Sequence, residues 1–365
     1  MSGSKLVKEV FPSKNEEINM LVSLFSIAVI QGNLSKVSFH LLKLKRLEEQ
    51  AKKGSSSFAA LPDFHLLKLK RPEEQEEELS TEVSEEDLAD AWVDEYGAKY
   101  SKDRRRLLDV PWNIKEYTIM PGTKVVGDRA FYRCYSLHSV AIPSSVMSIG
   151  DRAFFGCKSL HSVEISSSVT SIGDGAFGWC DSLRSIMLPK SLKRIGANPF
   201  AGLKMTITSK SPYFDVYEGN LYDSDRKRLI AFCSKSPDFA IPSSVTSIGD
   251  NAFEGCKSLC SVEIPSSVTS IVCSMFSRCS SLHSVTIHSS ITSIGDEAFW
   301  GCFSLHSVAI PSSVTTIGDR AFCCCSSLRS VQIKADTISE FERVKNLLIE
   351  SDSKLGGVEF VKIDK

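Results

Sequence analysis

The chain has 365 residues with 43 Lys plus Arg against 44 Asp plus Glu, a formal net charge of −1. That balance excludes the strongly basic field that nucleic-acid binding requires. No apolar run is long enough to span a bilayer.

Residues 1–95 form a non-repeating N-terminal region. Ile18–Ile30 is an apolar run preceded by Glu16 and Glu17. Its acidic flank and the lack of a small-residue cleavage site argue against a secretory signal. Ile18, Leu21, Val22, Phe25 and Val29 share one helical face, which predicts a packed helix, with a partner or membrane contact as the alternative. FHLLKLKRLEEQ at Phe39–Gln50 recurs as FHLLKLKRPEEQ at Phe64–Gln75, where Pro72 replaces Leu47 and opposes helix continuation. Gly54–Ser57 between them reads as a linker. Residues 73–95 contain no Lys or Arg. Ser84 followed by Asp87 predicts an N-cap for a short helix through Trp92.

From residue 119 a Phe recurs every 23 residues: Phe131, Phe154, Phe177 and Phe200, then Phe253, Phe276, Phe299 and Phe322, with 53 residues between the sets. A fixed period of this length means stacked copies of one small unit. In the fullest copy, Ile241–Glu263, the apolar positions are Ile241, Val245, Ile248, Ala252, Phe253, Cys256, Leu259 and Val262. One unit cannot bury these alone, so neighbours must stack. L-x-S-V-x-I (Leu137–Ile142, Leu160–Ile165, Leu282–Ile287, Leu305–Ile310) reads as a strand with Val and Ile inward. Pro143, Pro242, Pro265 and Pro311 follow it and are expected to end ladder pairing. The Gly-Asp pairs at 150–151, 173–174, 249–250, 295–296 and 318–319 follow a second short extended run; Gly is expected to supply φ > 0 and Asp a cap. Asn251–Cys256 has room for one helical turn.

The order IPxSVTSIGxxAFxxCxxLxSVxI resembles the BspA-type leucine-rich repeats. The resemblance covers roughly Ile119–Ile333. It implies an α/β repeat solenoid, a right-handed leucine-rich-repeat superhelix with parallel strands, short helical turns, two β-hairpin inserts and helical ends. It also implies a surface or secreted binding or adhesion module.

The fourth copy breaks after Phe200. EGNLYDSDRKRLIAF from Glu218 repeats YGAKYSKDRRRLLDV from Tyr96 at an offset of 122, and the same offset links Ile119 to Ile241. The chain is therefore two copies of a hairpin followed by four repeats: a first hairpin at 96–118, repeats at 119–210, a second hairpin insert at 211–240 and repeats at 241–334. Residues 335–365 are a C-terminal cap, with an amphipathic helix over Thr337–Ile349. Arg104 and Arg226 stand where the resemblance expects Gly, which favours a longer loop over a two-residue turn. The hairpins cap or interrupt the stack, and their basic clusters Arg104–Arg106 and Arg226–Arg228 are a second candidate contact for an acidic partner.

Seven of the twelve cysteines are in phase: Cys134, Cys157, Cys180, Cys256, Cys279, Cys302 and Cys325. Stacked residues sit ~4.8 Å apart with parallel Cβ vectors, whereas a disulfide needs Cβ atoms ~3.5–4.5 Å apart that face each other. A buried column of free thiols is expected, with Cys323 and Cys324 more exposed and open to oxidation. Free thiols without a leader suit a reducing, cytoplasmic compartment; the resemblance suggests the cell surface, and both readings stay open.

The outward strand positions are the candidate contact surface. One column runs His138, His161, Arg184, Cys260, His283, His306 and Arg329. The next is Ser throughout, and a third carries Glu164 and Glu263. Binding is assigned to His138, His161, Glu164, Arg184, Glu263, His283, His306 and Arg329. The plainer reading is duplicated residues on a solvated face. Cys260, His283 and His306 are suitable Zn²⁺ ligands but lack a fourth, and no acidic residue recurs to complete a Ser-His triad. No catalytic residue, metal or cofactor is assigned. The expected function is a non-enzymatic scaffold or adhesin that binds a protein through the strand face. A glycan- or surface-polymer-binding module is the alternative, and a metal-dependent enzyme at the Cys/His column is the weakest reading.

Overall fold

The computed structural model describes residues 79–352, 355 and 357–364. The expected N-terminal helix, the duplicated FHLLKLKR segments, the linker and the start of the acidic stretch lie outside the described residues.

Each rung contributes two short strands to two parallel ladders. One is a Ser-Ile strand, as at Ser148–Ile149, Ser171–Ile172 and Ser293–Ile294. The other is a Ser-Val strand, as at Ser139–Ala141, Ser162–Val163 and Ser284–Thr286. Neighbouring rungs pair at equivalent positions: Ser148 opposite Ser171, Ser139 opposite Ser162, Ser261 opposite Ser284. Identical residues therefore form columns. Val and Ile of each strand point inward, as the alternation requires, and the eight Phe residues of the 23-residue period are at most 1% exposed. Phe131, Phe154 and Phe177 stack at 4.7 and 5.1 Å between ring centroids. Phe253, Phe276, Phe299 and Phe322 stack at 5.0, 5.3 and 5.0 Å. Each buried ring contributes about 1.5–3 kcal/mol through burial and ~0.5–1.5 kcal/mol through stacking.

The stretch after Gly-Asp is not a helical turn. It is a run of hydrogen-bonded turns whose N–H groups reach the next rung, as in Phe131 N–H to Ala153 O at 2.7 Å and Phe154 N–H to Ala176 O at 2.7 Å. That inter-rung ladder uses the backbone groups that a helix would turn inward. It also fixes two left-handed residues per rung, four positions apart. The first are Arg129, Arg152, Gly175, Asn198, Asn251, Ser274, Glu297 and Arg320; the second include Arg133, Trp179, Gly202, Gly255, Arg278 and Cys324.

The glycines of the Gly-Asp pairs are absent from the left-handed set, contrary to expectation. Their reason is space. A Cβ on Gly150, Gly173, Gly196 or Gly318 would overlap Oδ1 of the Asp one rung earlier. That oxygen accepts the N–H of the next Asp: Asp128 from Asp151 at 2.8 Å, Asp151 from Asp174 at 2.8 Å, Asp296 from Asp319 at 2.9 Å. Pro also departs once from expectation: Pro311 stays in its strand opposite Lys334, because its missing N–H faces away from that pair.

Three antiparallel strands precede each array. Trp92–Val93, Lys99–Tyr100 and Arg106–Asp109 precede the first, and Phe214–Tyr217, Asn220–Asp223 and Arg228–Ala231 the second. The third strand of each set pairs parallel with the first Ser-Ile position, Arg106 opposite Val125 and Arg228 opposite Ser247. It thus serves as the starting rung. Arg104 and Arg226 take φ of 59° and 56°, within loops longer than two residues, the first closed by Ser101 N–H to Arg106 O at 2.9 Å.

The helix predicted through Trp92 ends at Ala89, and Trp92 lies in a strand. Ser84 and Asp87 form its capping box. Arg106 holds Asp87 at 2.9 Å, and the Ser84 N–H hydrogen bond, aided by Arg106, keeps this carboxyl below its usual range. At the other end, Ile338–Ser351 is a helix capped by Thr337 and Glu340 that buries Val344 and Leu348. Arg343 reaches back to the carbonyls of Val314 and Ser312. Glu359–Ile363 adds a parallel strand beside Ser330–Lys334.

Candidate functional site

The Ser-Val strands carry the residues that the sequence singles out. His138, His161, Glu164 and Arg184 are exposed on the first array, and Glu263, His283, His306 and Arg329 on the second. The rung register aligns them. His138 and His161 stack at 5.9 Å with their planes 14° apart. Backbone bonds tie His161 to His138, His283 to Cys260 and Arg329 to His306. The insert separates the two groups, which occupy different arrays. Met187, 42% exposed, is the large apolar residue on this face.

Cys260 points its thiol at the Ser258 carbonyl, and His283 Nδ1 lies 3.3 Å from the Ser281 carbonyl. Among the described residues no three His, Cys, Asp or Glu side chains converge as a metal site.

All twelve cysteines are free thiols. Cys157, Cys180, Cys279, Cys302 and Cys325 each donate to the carbonyl of the Phe 26 residues earlier, at 3.0–3.2 Å. Burial pushes Cys134 up to about 12 and Cys233 likewise to about 12. The neighbouring Cys180 thiol, together with burial, pushes Cys157 up as well. These thiols are structural. Cys273 and Cys324 are exposed. Cys273 marks a rung where Val272-Cys273 replaces Gly-Asp, and a shallow groove of ≈ 430 Å³ opens there between Asp250, Gly295 and Asp296.

The turn edge holds the residues that the strand-face reading missed. On the first two rungs Tyr132 and Phe155 stack at 5.6 Å. Arg129 and Arg133 lie 6.0 and 5.1 Å over Tyr132, Arg152 6.0 Å over Phe155, and Lys158 5.4 Å over Tyr135. Farther along, Trp179 covers Gly202 and Gly255, with Lys257 5.1 Å and Arg278 5.7 Å over its ring. Gly202 belongs to the first array and Gly255 to the second, so Trp179 lies over the seam. The turn-edge hydrogen bonding continues across it, with Gly202 N–H to Glu254 O at 2.8 Å, although both strand ladders end at the insert. Burial pushes the Glu254 carboxyl up, opposed by Arg278. The signal was present in the sequence: Arg129 and Arg152, and Tyr132 and Phe155, are each one 23-residue period apart.

No helix among the described residues is long and apolar enough to cross a membrane. Among solved structures, the chain is similar to a leucine-rich cell surface protein of Faecalibacterium prausnitzii, at 31% identity over 63% of this chain and 62% of that one, with a TM-score of 0.48. It spans less than two thirds of that relative. Pneumococcal vaccine antigen PcpA is similar at 20% identity over 75% of this chain and 82% of that one, with a TM-score of 0.57, a likeness of fold. A leucine-rich repeat protein from Eubacterium ventriosum is 25% identical over 63% of this chain and 66% of that one, with a TM-score of 0.45. No curated protein matches the chain. The model of the BspA type leucine rich repeat region matches residues 111–214 and 228–345 in six copies. With the parallel ladders, the Phe and Cys columns and that match across more than half its length, the chain belongs to the BspA-type leucine-rich repeat family.

Proposed function

We propose that the chain is a non-enzymatic binding scaffold, adhesin-like in character, that engages a protein through the outward positions of its Ser-Val strands. The observation that carries this reading is the register: His138 over His161, and His306 beside Arg329, repeat one polar pattern on a rigid ladder. A rigid face loses little conformational freedom on binding. Family membership supports the reading, since the resemblance associates these arrays with surface or secreted binding modules. The hairpin-like inserts and helical ends serve as starters and caps, because a stack with an apolar open end is insoluble.

The test uses the full chain and a variant with His161, Arg184, His283 and His306 all changed to Ala. Proteins captured by the wild type and lost by the variant, at equal melting temperature, are the expected result. An unchanged captured set overturns the strand-face reading.

A further inference from the structure

The turn edge of the first two rungs differs from the same edge farther along. In the second array, Arg278 and Arg320 pair with Glu254 and Glu297 at 4.0 and 3.9 Å. Arg129, Arg133, Arg152 and Lys158 form no ion pair among the described residues. Their charged heads lie 5.1–6.0 Å over the rings of Tyr132, Phe155 and Tyr135, and three of the four backbones are left-handed. A guanidinium held by its stacked face keeps its N–H edges for a bidentate anion. Asp128 and Asp151 directly precede Arg129 and Arg152 and border the stripe with negative charge. That border makes the stripe narrow, which disfavours a broad polyanion such as a duplex or a lipid surface and fits a single thin chain.

We propose that this edge binds a linear uronate-bearing polysaccharide. Carboxylates meet the guanidinium edges, and a sugar ring lays its apolar face on Tyr135, which is 44% exposed beside Lys158. An acidic peptide carries its charges on flexible stems and gives Tyr135 no flat face to hold. The surface is separate from the strand face, so either reading can fail alone.

The test titrates the full chain with galacturonate oligomers, polyglutamate of equal charge and neutral dextran. Glycine is the substitution of choice, because Gly156 and Gly175 fill the same left-handed columns in neighbouring rungs. Arg133→Gly and Arg152→Gly should each weaken galacturonate binding about tenfold without lowering the melting temperature. Tyr135→Ala should weaken it too, and added salt should weaken it further. Exposed Lys190 and Lys193, changed to Ala, should leave it unaltered. Absence of galacturonate binding, equal binding by a variant carrying both Arg133→Gly and Arg152→Gly, or equal affinity for polyglutamate overturns the proposal.

Discussion

Tyr100 Oη and Tyr117 Oη lie 2.7 Å apart, buried, and Tyr117 passes the chain of hydrogen bonds on to Asp94. At the 122-residue offset the second module keeps Tyr222 but has Phe239 and Val216 in place of Tyr117 and Asp94. Tyr222 Oη is buried without a hydrogen bond; Asn220 approaches it but does not close one. A buried orphaned hydroxyl costs about 1–3 kcal/mol. Tyr222→Phe should therefore stabilise the fold by about 1 kcal/mol, whereas Tyr100→Phe should destabilise it by a similar amount. Urea denaturation of both variants checks the opposite signs.

The Gly-Asp glycines should split by rung. Gly150→Ala forces a methyl onto the Asp128 carboxylate and should cost about 2–3 kcal/mol. Gly249 has nothing nearer than 3.5 Å, because the strand before it belongs to the insert and carries no Asp there. Gly249→Ala should cost under about 1 kcal/mol. Thermal melts of both variants test the spatial explanation, and adding Asp128→Ala to the first should recover only part of the loss, because the Asp128 N and Gly127 C atoms lie 2.7 and 2.9 Å from the same methyl.

Left-handed positions predict gains from glycine. Ser274 has φ of 51°, and Ser274→Gly should stabilise by about 1 kcal/mol. Gly175, at φ of 57° with no Cβ neighbour nearer than 3.6 Å, gives the reverse: Gly175→Ala should lose about 1 kcal/mol. Equal denaturation midpoints for wild type and both variants would contradict this.

Thiol chemistry should follow the column. Cys273 and Cys324 should react with an aromatic disulfide reagent in the native state, and the buried column thiols only after unfolding. The pH dependence has a definite sign. Cys134 moves from 9.0 to about 12, so above pH 9 the unfolded chain releases a proton that the folded chain retains. Its contribution is therefore intact below pH 9 and declines as pH rises towards 12. Cys134→Ala should flatten that decline in a stability-versus-pH series.

The Phe period, the inward Val and Ile, and the thiol column were readable in the sequence, because each repeats every 23 residues and core packing tolerates little variation. Gly150 misled because local turn rules assign glycine to φ > 0, while its real constraint comes from Asp128 on the rung before. Arg129, Asn251 and Ser274 hid the left-handed positions, since the inter-rung ladder overrides what those residues prefer alone. The Arg and aromatic edge recurs with the period too, but strand alternation marks His161 and His283, and no alternation marks the turn edge. The ion pair of Arg278 with Glu254, and the weaker, longer-range attraction of Arg152 to the same carboxylate, appear only when rungs are placed side by side.

At the seam the bond from Gly202 to Glu254 has the geometry of any ordinary rung-to-rung bond, although the sequence between its ends is thirty residues longer. This turn edge runs on across the insert, while both strand ladders end there and begin again after it and the hydrophobic core divides into two. Each array therefore keeps its own core, and the turn edge fastens one to the next.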